Sequence, residues 1–159
     1  MTPMIAAVVA AIAMACAPAA QAPTPTVGNL EAVPAADGGT LALVARVTVG
    51  GFIVGFALSC EDGRPLATVY LGPFPPRLQT LQLATRTAAG AVTRFGGVFQ
   101  AAAASGFHSP QLVGDDLDEF LRAVLEPGTL VSNGYSSYRV QLTPTERTRL
   151  TTFLEDCGR

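Results

Sequence analysis

Residues 40–60, TLALVARVTVGGFIVGFALSC, decide the fold of this chain. Two runs rich in β-branched residues, Thr40–Val49 and Phe52–Cys60, flank the pair Gly50-Gly51. Glycine adopts the positive φ values that a two-residue hairpin turn requires, so the pattern is typical of an antiparallel β-hairpin. We therefore predict two paired strands joined at the glycine pair.

A transmembrane helix over residues 41–58 is the alternative interpretation of the same apolar stretch. Arg46 lies inside it, and three glycines interrupt it. A charged side chain in the middle of a bilayer is costly, and β-branched residues favour strands over helices. The sequence therefore favours the hairpin.

Further strands are expected after this hairpin. Asp62-Gly63 predicts a turn, and Leu66–Leu71 predicts a third strand beyond it. Leu78–Thr87 alternates apolar and polar residues as a half-buried strand does, and Ala91–Gln100 follows it across a glycine-containing turn. The two segments predict a second hairpin, in which Gly96-Gly97 indicates a β-bulge.

Two helices are expected in the last third of the chain. Asp115 precedes residues with an apolar helical period and is expected to be the N-cap, with the acidic residues after it matching the helix dipole. Short strands follow at Thr129–Val131 and Ser137–Leu142. Thr143-Pro144-Thr145-Glu146 is a capping-box pattern with proline at the first helical position, so a final helix is expected over 144–156.

The N-terminus predicts export. An uninterrupted apolar run, Ile5–Met14, has the length of a signal peptide and is too short to span a bilayer. Ala13-Met14-Ala15 before Cys16 resembles a bacterial lipobox, so we expect a signal peptide at 1–15 and lipidation of Cys16. Cleavage at an Ala-x-Ala site within 17–22 and an uncleaved segment are the alternatives. Residues 16–38 are rich in Pro, Ala and Thr and are expected to form a flexible tether.

The cysteines support this interpretation. If Cys16 is lipidated or removed, Cys60 and Cys157 remain, and an exported compartment allows them to pair. Two buried free thiols are the alternative. With the bridge, the expected architecture is an α+β domain over 39–159. It is built as an antiparallel sheet of hairpins with two helices packed on one face, and it is closed by the disulfide.

Composition argues against several functional classes. The net charge is −2, and the ten basic residues are all arginines scattered along the chain, so no nucleic acid partner is expected. A single histidine and the absence of Cys-x-x-Cys spacing predict no metal site. No glycine-rich phosphate loop is present, and no cofactor is expected.

Two segments are candidate contact surfaces. Ser105–Pro110 contains Phe107 and His108, which we interpret either as a structural loop or as part of a partner-binding loop. A small hydrolase that uses His108 with a neighbouring serine is a third hypothesis, although no Gly-x-Ser-x-Gly elbow is present. The polar turn at 132–138 is interpreted as a hairpin loop, whose exposed Tyr135 and Tyr138 would suit a contact surface for a partner. We assign no catalytic residue.

The order of these motifs resembles two groups of small exported bacterial proteins. An early strand ends in Cys60-Glu61-Asp62-Gly63, and the last helix closes with Phe153-Leu154-Glu155-Asp156-Cys157-Gly158. Over about residues 50–158 the chain is similar to the invasion-associated locus B family and to the two-cysteine type VI secretion accessory proteins. The tryptophan that such proteins often carry is absent. The resemblance implies a disulfide-closed, non-enzymatic periplasmic domain.

These observations predict an exported lipoprotein of the periplasm, held at the membrane by its lipid. The expected role is that of an accessory or binding module of the cell envelope, linked to secretion or conjugation, with a periplasmic or envelope protein as its partner. A soluble periplasmic or secreted protein is the alternative location. An inhibitor or immunity protein for a periplasmic enzyme is the alternative function, beside the hydrolase hypothesis.

Overall fold

The computed structural model describes residues 23–34, 42–72, 80–96, 99–100 and 109–157. Three predicted functional residues, Cys16, Phe107 and His108, lie outside these ranges, as does the predicted signal peptide. The elements are β1 (Thr26–Val27), β2 (Glu31–Val33), β3 (Ala42–Val49), β4 (Phe52–Glu61), β5 (Arg64–Tyr70), β6 (Thr80–Leu81), β7 (Ala84–Arg86), β8 (Val92–Arg94), β9 (Phe99–Gln100), β10 (Gln111–Leu112), α1 (Gly114–Leu125), β11 (Thr129–Ser132), β12 (Ser137–Val140) and α2 (Pro144–Cys157).

The first predicted hairpin is confirmed. β3 and β4 pair from Leu43 with Leu58 to Val49 with Phe52, around Gly50 and Gly51, whose φ values are +56° and +84°. The transmembrane alternative is wrong, because residues 42–58 form two strands. Among the described residues, no helix is long and apolar enough to cross a bilayer.

The α+β class is confirmed, and ten of the described strands are divided between two five-stranded sheets rather than collected in one, while β6 and β9 form a separate pair. Sheet B has the order β10-β5-β4-β3-β2 and is antiparallel throughout. Sheet A has the order β1-β12-β11-β7-β8, with β1 parallel to β12 and the other pairs antiparallel. The two sheets share one buried core.

The second predicted hairpin contains the expected irregularity. β7 pairs with β8 with Ala84 opposite Arg94, whereas β6 pairs with β9 with Leu81 opposite Phe99. Between these two pairs the register shifts by two residues, so the second strand has two surplus residues between Phe95 and Phe99. The bulge separates β6 and β9 from sheet A, and Phe95 beside it is fully buried.

The predicted boundary between tether and domain is wrong, because part of residues 16–38 belongs to the fold. β1 lies in sheet A and β2 in sheet B, and the backbone N–H groups of Arg139 and Gln141 donate to Pro25 and Val27 at 2.8 Å. Val27 and Leu30 are buried in the core. Two isolated apolar residues in a Pro/Thr/Gly-rich segment give no periodic signal, which is why composition alone indicated a tether.

Both helices pack on the inner face of sheet B. The ring of Phe120 in α1 meets the ring of Phe56 in β4 edge-on at 5.6 Å, and Phe95 meets it at 6.1 Å. Cys60 lies four residues beyond Phe56 on the same face of β4, and it is bonded to Cys157 at the end of α2. The inner face of β4 therefore packs against α1 through Phe56 and is joined to α2 by the disulfide at Cys60.

The two helix starts differ from each other. The prediction that Asp115 caps α1 is wrong, because α1 begins at Gly114 and Val113 occupies the N-cap without a side-chain bond. At α2 the predicted capping box is confirmed. The backbone N–H of Glu146 donates to the Thr143 hydroxyl at 3.3 Å, and the Thr143 N–H donates to the Glu146 carboxylate at 2.7 Å.

The predicted disulfide between Cys60 and Cys157 is confirmed, with the two Cα atoms 5.7 Å apart. It joins residues 97 positions apart and links the end of β4 to the last turn of α2. The alternative of two free thiols is therefore wrong.

Candidate functional site

The candidate site is the outer face of sheet A, on the side away from sheet B. Residues on neighbouring strands share a face when they are register partners, and Leu130 of β11 is opposite both Arg86 and Arg139. Val131, the next residue, is buried on the inner side. Arg86, Arg139 and Leu130 therefore lie on the outer face, and Arg94 lies there too, because its partner Ala84 is two residues from Arg86.

A shallow groove of about 390 Å³ crosses this face. Its polar lining is supplied by Gln82, Arg86 and Arg94 on one hairpin and by Ser132 and Asn133 at the end of β11. Arg86 and Arg94 are exposed, and neither forms a hydrogen bond or an ion pair with any residue that the structure describes. Their guanidinium groups therefore have free donors directed at solvent.

A rigid turn closes one end of the groove. The Asn133 side-chain oxygen accepts hydrogen bonds from the backbone N–H groups of Tyr135 at 3.0 Å and Ser136 at 2.8 Å. The Ser132 hydroxyl accepts a third from Gly134, whose φ is +89°. Because side chains of the turn itself hold its backbone, the turn presents Tyr135, which is 57% exposed, to solvent. The predicted exposure of Tyr135 is thus confirmed.

The predicted exposure of Tyr138 is wrong. Tyr138 points inward from β12, since strand alternation places it between the outward Ser137 and Arg139, and it is fully buried. Its hydroxyl donates to the Gly55 carbonyl of sheet B at 2.9 Å, and burial raises the pKa of the phenol well above its usual value. Tyr138 therefore joins the two sheets and is unavailable to a partner.

The hydrogen bond between Tyr138 and the Gly55 carbonyl depends on glycine at position 55. Its φ is +144°, and a Cβ atom at this position would collide with the backbone carbonyl of Ala45 on the neighbouring strand. Only glycine fits this close approach, which brings the Gly55 carbonyl to the Tyr138 hydroxyl.

The acidic residues lie elsewhere in the molecule. Glu61 and Asp62 are exposed at the β4–β5 turn, and Glu155 and Asp156 are exposed at the end of α2, which the disulfide holds beside that turn. A second pocket of about 410 Å³ is lined by Glu61, Asp62 and Arg64 with apolar neighbours. The described part of the chain contains no cluster of three His, Cys, Asp or Glu side chains that could hold a metal ion.

The chemistry of the groove is that of anion recognition. An Arg guanidinium presents a planar set of N–H donors that matches carboxylate and phosphate oxygens. Ser132, Asn133 and Gln82 supply neutral polar groups beside the two arginines. The groove is therefore suited to hold a carboxylate or phosphate group, with Tyr135 at its rim for an apolar contact.

Comparison with known proteins gave no significant match to any family model, any curated protein or any solved structure. The resemblance to the invasion-associated locus B and type VI secretion accessory proteins therefore stays a prediction.

Arg86 and Arg94 are not predicted as site residues by any local pattern of the sequence. In the sequence they are eight positions apart and read as two of ten scattered arginines. The β7–β8 hairpin places them on one face, and the pairing of β7 with β11 adds Ser132. The alternation of 78–87 puts Arg86 on the polar side of its strand, which was the one signal available without the long-range pairing.

Proposed function

We propose that the protein is an exported lipoprotein that acts as a non-enzymatic accessory or binding module of the bacterial cell envelope, in the service of secretion or conjugation machinery. Cys16 carries the lipid, residues 17–25 form the tether, and the domain begins at β1. The rigid turn that presents Tyr135 is its contact with an envelope protein.

Two observations support export. The Cys60–Cys157 disulfide joins β4 to α2, and such bridges persist in oxidising compartments such as the periplasm. The apolar run before Cys16 has the length of a signal peptide. Together they favour a protein that leaves the cytoplasm before it folds.

The observation that carries the binding role is the exposed Tyr135 on its side-chain-supported turn. Interfaces are enriched in tyrosine because one rigid ring provides both apolar area and a polar hydroxyl. A fixed turn loses little conformational entropy on binding, so the ring is ready to contact a partner.

The export proposal is tested by the intact mass of the protein purified from membranes, with and without reductant. We expect an acylated chain that begins at Cys16 and is lighter by two hydrogens until it is reduced. A chain that begins near Ala20 without a lipid would overturn the anchor and make the protein freely diffusing.

The binding proposal is tested by photo-crosslinking in living cells with p-benzoylphenylalanine at position 135. The matched control carries the same probe in place of Ile53, which is also exposed but lies in sheet B. We expect one discrete protein adduct from position 135 and none from position 53. Equal adducts from both positions, or none from position 135, would overturn the role of the turn.

The identity of the adduct separates the two binding classes. An envelope or secretion component supports the accessory role. A single stoichiometric hydrolase supports instead the inhibitor or immunity alternative, which the same turn could serve by occupying an enzyme cleft.

A further inference from the structure

We propose that the outer face of sheet A docks on the anionic lipid headgroups of the membrane that carries the Cys16 anchor. This inference rests on the proposed function for the anchor, and it assigns a ligand to the arginine groove. The domain would then lie flat on the bilayer rather than hang freely from it.

The charge of this face is of one sign. The five strands of sheet A contain Arg86, Arg94 and Arg139 and no Asp or Glu. Arg139 is also exposed, with one N–H directed to the Gly128 carbonyl at 2.7 Å. Neighbouring strands lie about 4.8 Å apart, so Arg139 and Arg86, two strands apart, are separated by about 10 Å at the backbone. Three cations therefore share an area comparable to that of a few lipid headgroups.

The region around the β4–β5 turn, behind sheet A, carries four carboxylates against one cation, Arg64. Glu61 ends β4 of sheet B and Asp62 follows it in the β4–β5 turn, and sheet B packs behind sheet A through contacts such as that of Tyr138 with Gly55. Glu155 and Asp156 at the end of α2 lie beside them. An anionic bilayer surface attracts the arginine face and repels this acidic region, so the charge distribution favours a single orientation although the net charge is −2.

The tether is short and begins at the edge of the same face. Nine residues separate Cys16 from Thr26, so even a fully extended chain spans only about 35 Å. β1 is the edge strand of sheet A, and Thr26 is the register partner of Arg139 on the outer face. Had the tether continued to residue 38, its reach would have been roughly twice as long, at about 75 Å. A tether that ends at β1 would therefore keep the arginines close to the headgroups.

Without the lipid anchor, the arginine face should bind the bilayer only weakly. With the anchor, the same weak contact should be occupied most of the time. A basic side chain close to an anionic bilayer raises the binding constant by roughly fivefold. A short tether adds a high effective concentration of headgroups around the face, so a weak contact is occupied most of the time. The contact is electrostatic and is therefore lost when salt screens it.

The test is arginine footprinting of the full mature protein reconstituted in vesicles. Phenylglyoxal, a neutral reagent, modifies exposed guanidinium groups, and peptide mass spectrometry gives the rate at each arginine. In vesicles with 30% phosphatidylglycerol we expect Arg86 and Arg94 to react at least threefold more slowly than in pure phosphatidylcholine. Arg46 and Arg122, exposed on sheet B and α1, serve as internal controls and should react equally in both. In 1 M NaCl, where the screening length is about 3 Å, the protection should disappear.

Matched variants test whether the protection of Arg139 by vesicles depends on Arg86 and Arg94. In R86Q/R94Q, we expect Arg139 to lose its vesicle-dependent protection. In R46Q/R122Q, which removes the same charge from other surfaces, Arg86 and Arg94 should remain protected. Protection of Arg139 in R86Q/R94Q would overturn the assignment of the face to these arginines.

Failure of the docking proposal is distinguishable from failure of the anchor. The same samples give the mass of the N-terminal peptide, which reports acylation of Cys16 independently. An acylated chain whose Arg86 and Arg94 react equally in both vesicle types overturns the docking proposal alone. An unacylated chain that is still protected by added anionic vesicles overturns only the anchor. Protection in isolated envelopes but not in protein-free vesicles would assign the face to an acidic protein instead and overturn the lipid proposal.

Discussion

The two helices are held in the fold by different means. α1 buries five side chains, Phe120 among them, yet its N-terminus has no side-chain cap. α2 buries only Leu150 and Cys157, but its first turn has a capping box and its last turn is covalently bonded to sheet B. Packing along one face secures α1, whereas bonds at the two ends secure α2.

This difference matters because α2 also holds the segment that enters from the tether. The Glu146 carboxylate accepts a hydrogen bond from the Leu30 backbone N–H at 3.0 Å, and the Arg149 guanidinium donates to the Leu30 carbonyl at 2.8 Å. Both backbone groups of Leu30 are thus bonded by α2. A pull on the tether would load the hydrogen bonds of β1 to β12 first, and then the bonds of Leu30 to α2, which the disulfide joins to sheet B.

The largest loss of stability is expected from truncation of a buried side chain of α1, the helix that is held by packing alone. Phe120→Ala removes a ring that contacts both Phe56 and Phe95 and leaves a cavity in the core. We expect a loss of about 3–5 kcal/mol in the free energy of unfolding, measured by denaturant titration. Phe153→Ala, at a half-buried position of α2, is the control and should cost clearly less. Equal losses would contradict the view that α1 is the packed helix.

Loss of the disulfide should be the next largest effect. The bridge closes a loop between residues 97 positions apart, for which the chain-entropy model gives about 4–5 kcal/mol, and measured losses are typically 2–5 kcal/mol. We expect the free energy of unfolding of C60A/C157A, measured by denaturant titration, to fall by an amount in that range. Amide exchange in α2 should increase before that in α1. If exchange increases equally in both helices, α2 does not depend specifically on its bridge.

Local signals in the sequence predicted much of this fold. The glycine pair at 50–51, the capping box at Thr143 and the helical period of α1 each lie within a few residues, and each element was confirmed. The division into two sheets and the entry of residues 26–33 into the fold depend on pairing between distant strands. No local pattern reports such pairing, so composition placed the domain boundary too late.

The candidate site shows the same limit. The turn at 132–138 was visible as a polar, tyrosine-bearing loop, but which tyrosine is exposed depends on the strand phase of β12. The groove is assembled from β7, β8 and β11, so its arginines become neighbours only through two long-range pairings. Residue types alone could indicate a contact surface here, but not an anion site.

The bonded end of α2 predicts a pH dependence. Backbone hydrogen bonds, chiefly from Thr143 and also from Leu30, lower the pKa of the Glu146 carboxyl against the opposing effect of partial burial. Because the folded pKa lies below the unfolded one, this stabilisation is complete above the unfolded value of about 4.3 and is lost as pH falls through the folded value.

Glu146→Gln removes this titration. We expect the variant to be less stable than the wild type at pH 7 by about 1 kcal/mol, and the gap to narrow as the pH is lowered below about 4. Thermal unfolding between pH 2.5 and pH 7 measures it. If the stability difference between the variant and the wild type stays constant across this pH range, the charge of the Glu146 carboxylate contributes nothing to the hydrogen bonds that hold Leu30 and Thr143.

The smallest effect should come from the acidic start of α1. Asp115 lies in the first turn, after the uncapped Val113, so its charge faces the helix dipole without accepting a capping bond. Asp115→Asn should therefore cost no more than about 0.5 kcal/mol at low salt, and less when salt screens the dipole. Thr143→Ala is the matched change at α2, where a real cap is lost, and should cost about 1 kcal/mol at any ionic strength. Denaturant titrations of both variants at 20 mM and 500 mM salt separate the two mechanisms. A salt-independent loss in Asp115→Asn as large as that in Thr143→Ala would show that α1 is also secured at its end, and the contrast between the helices would fail.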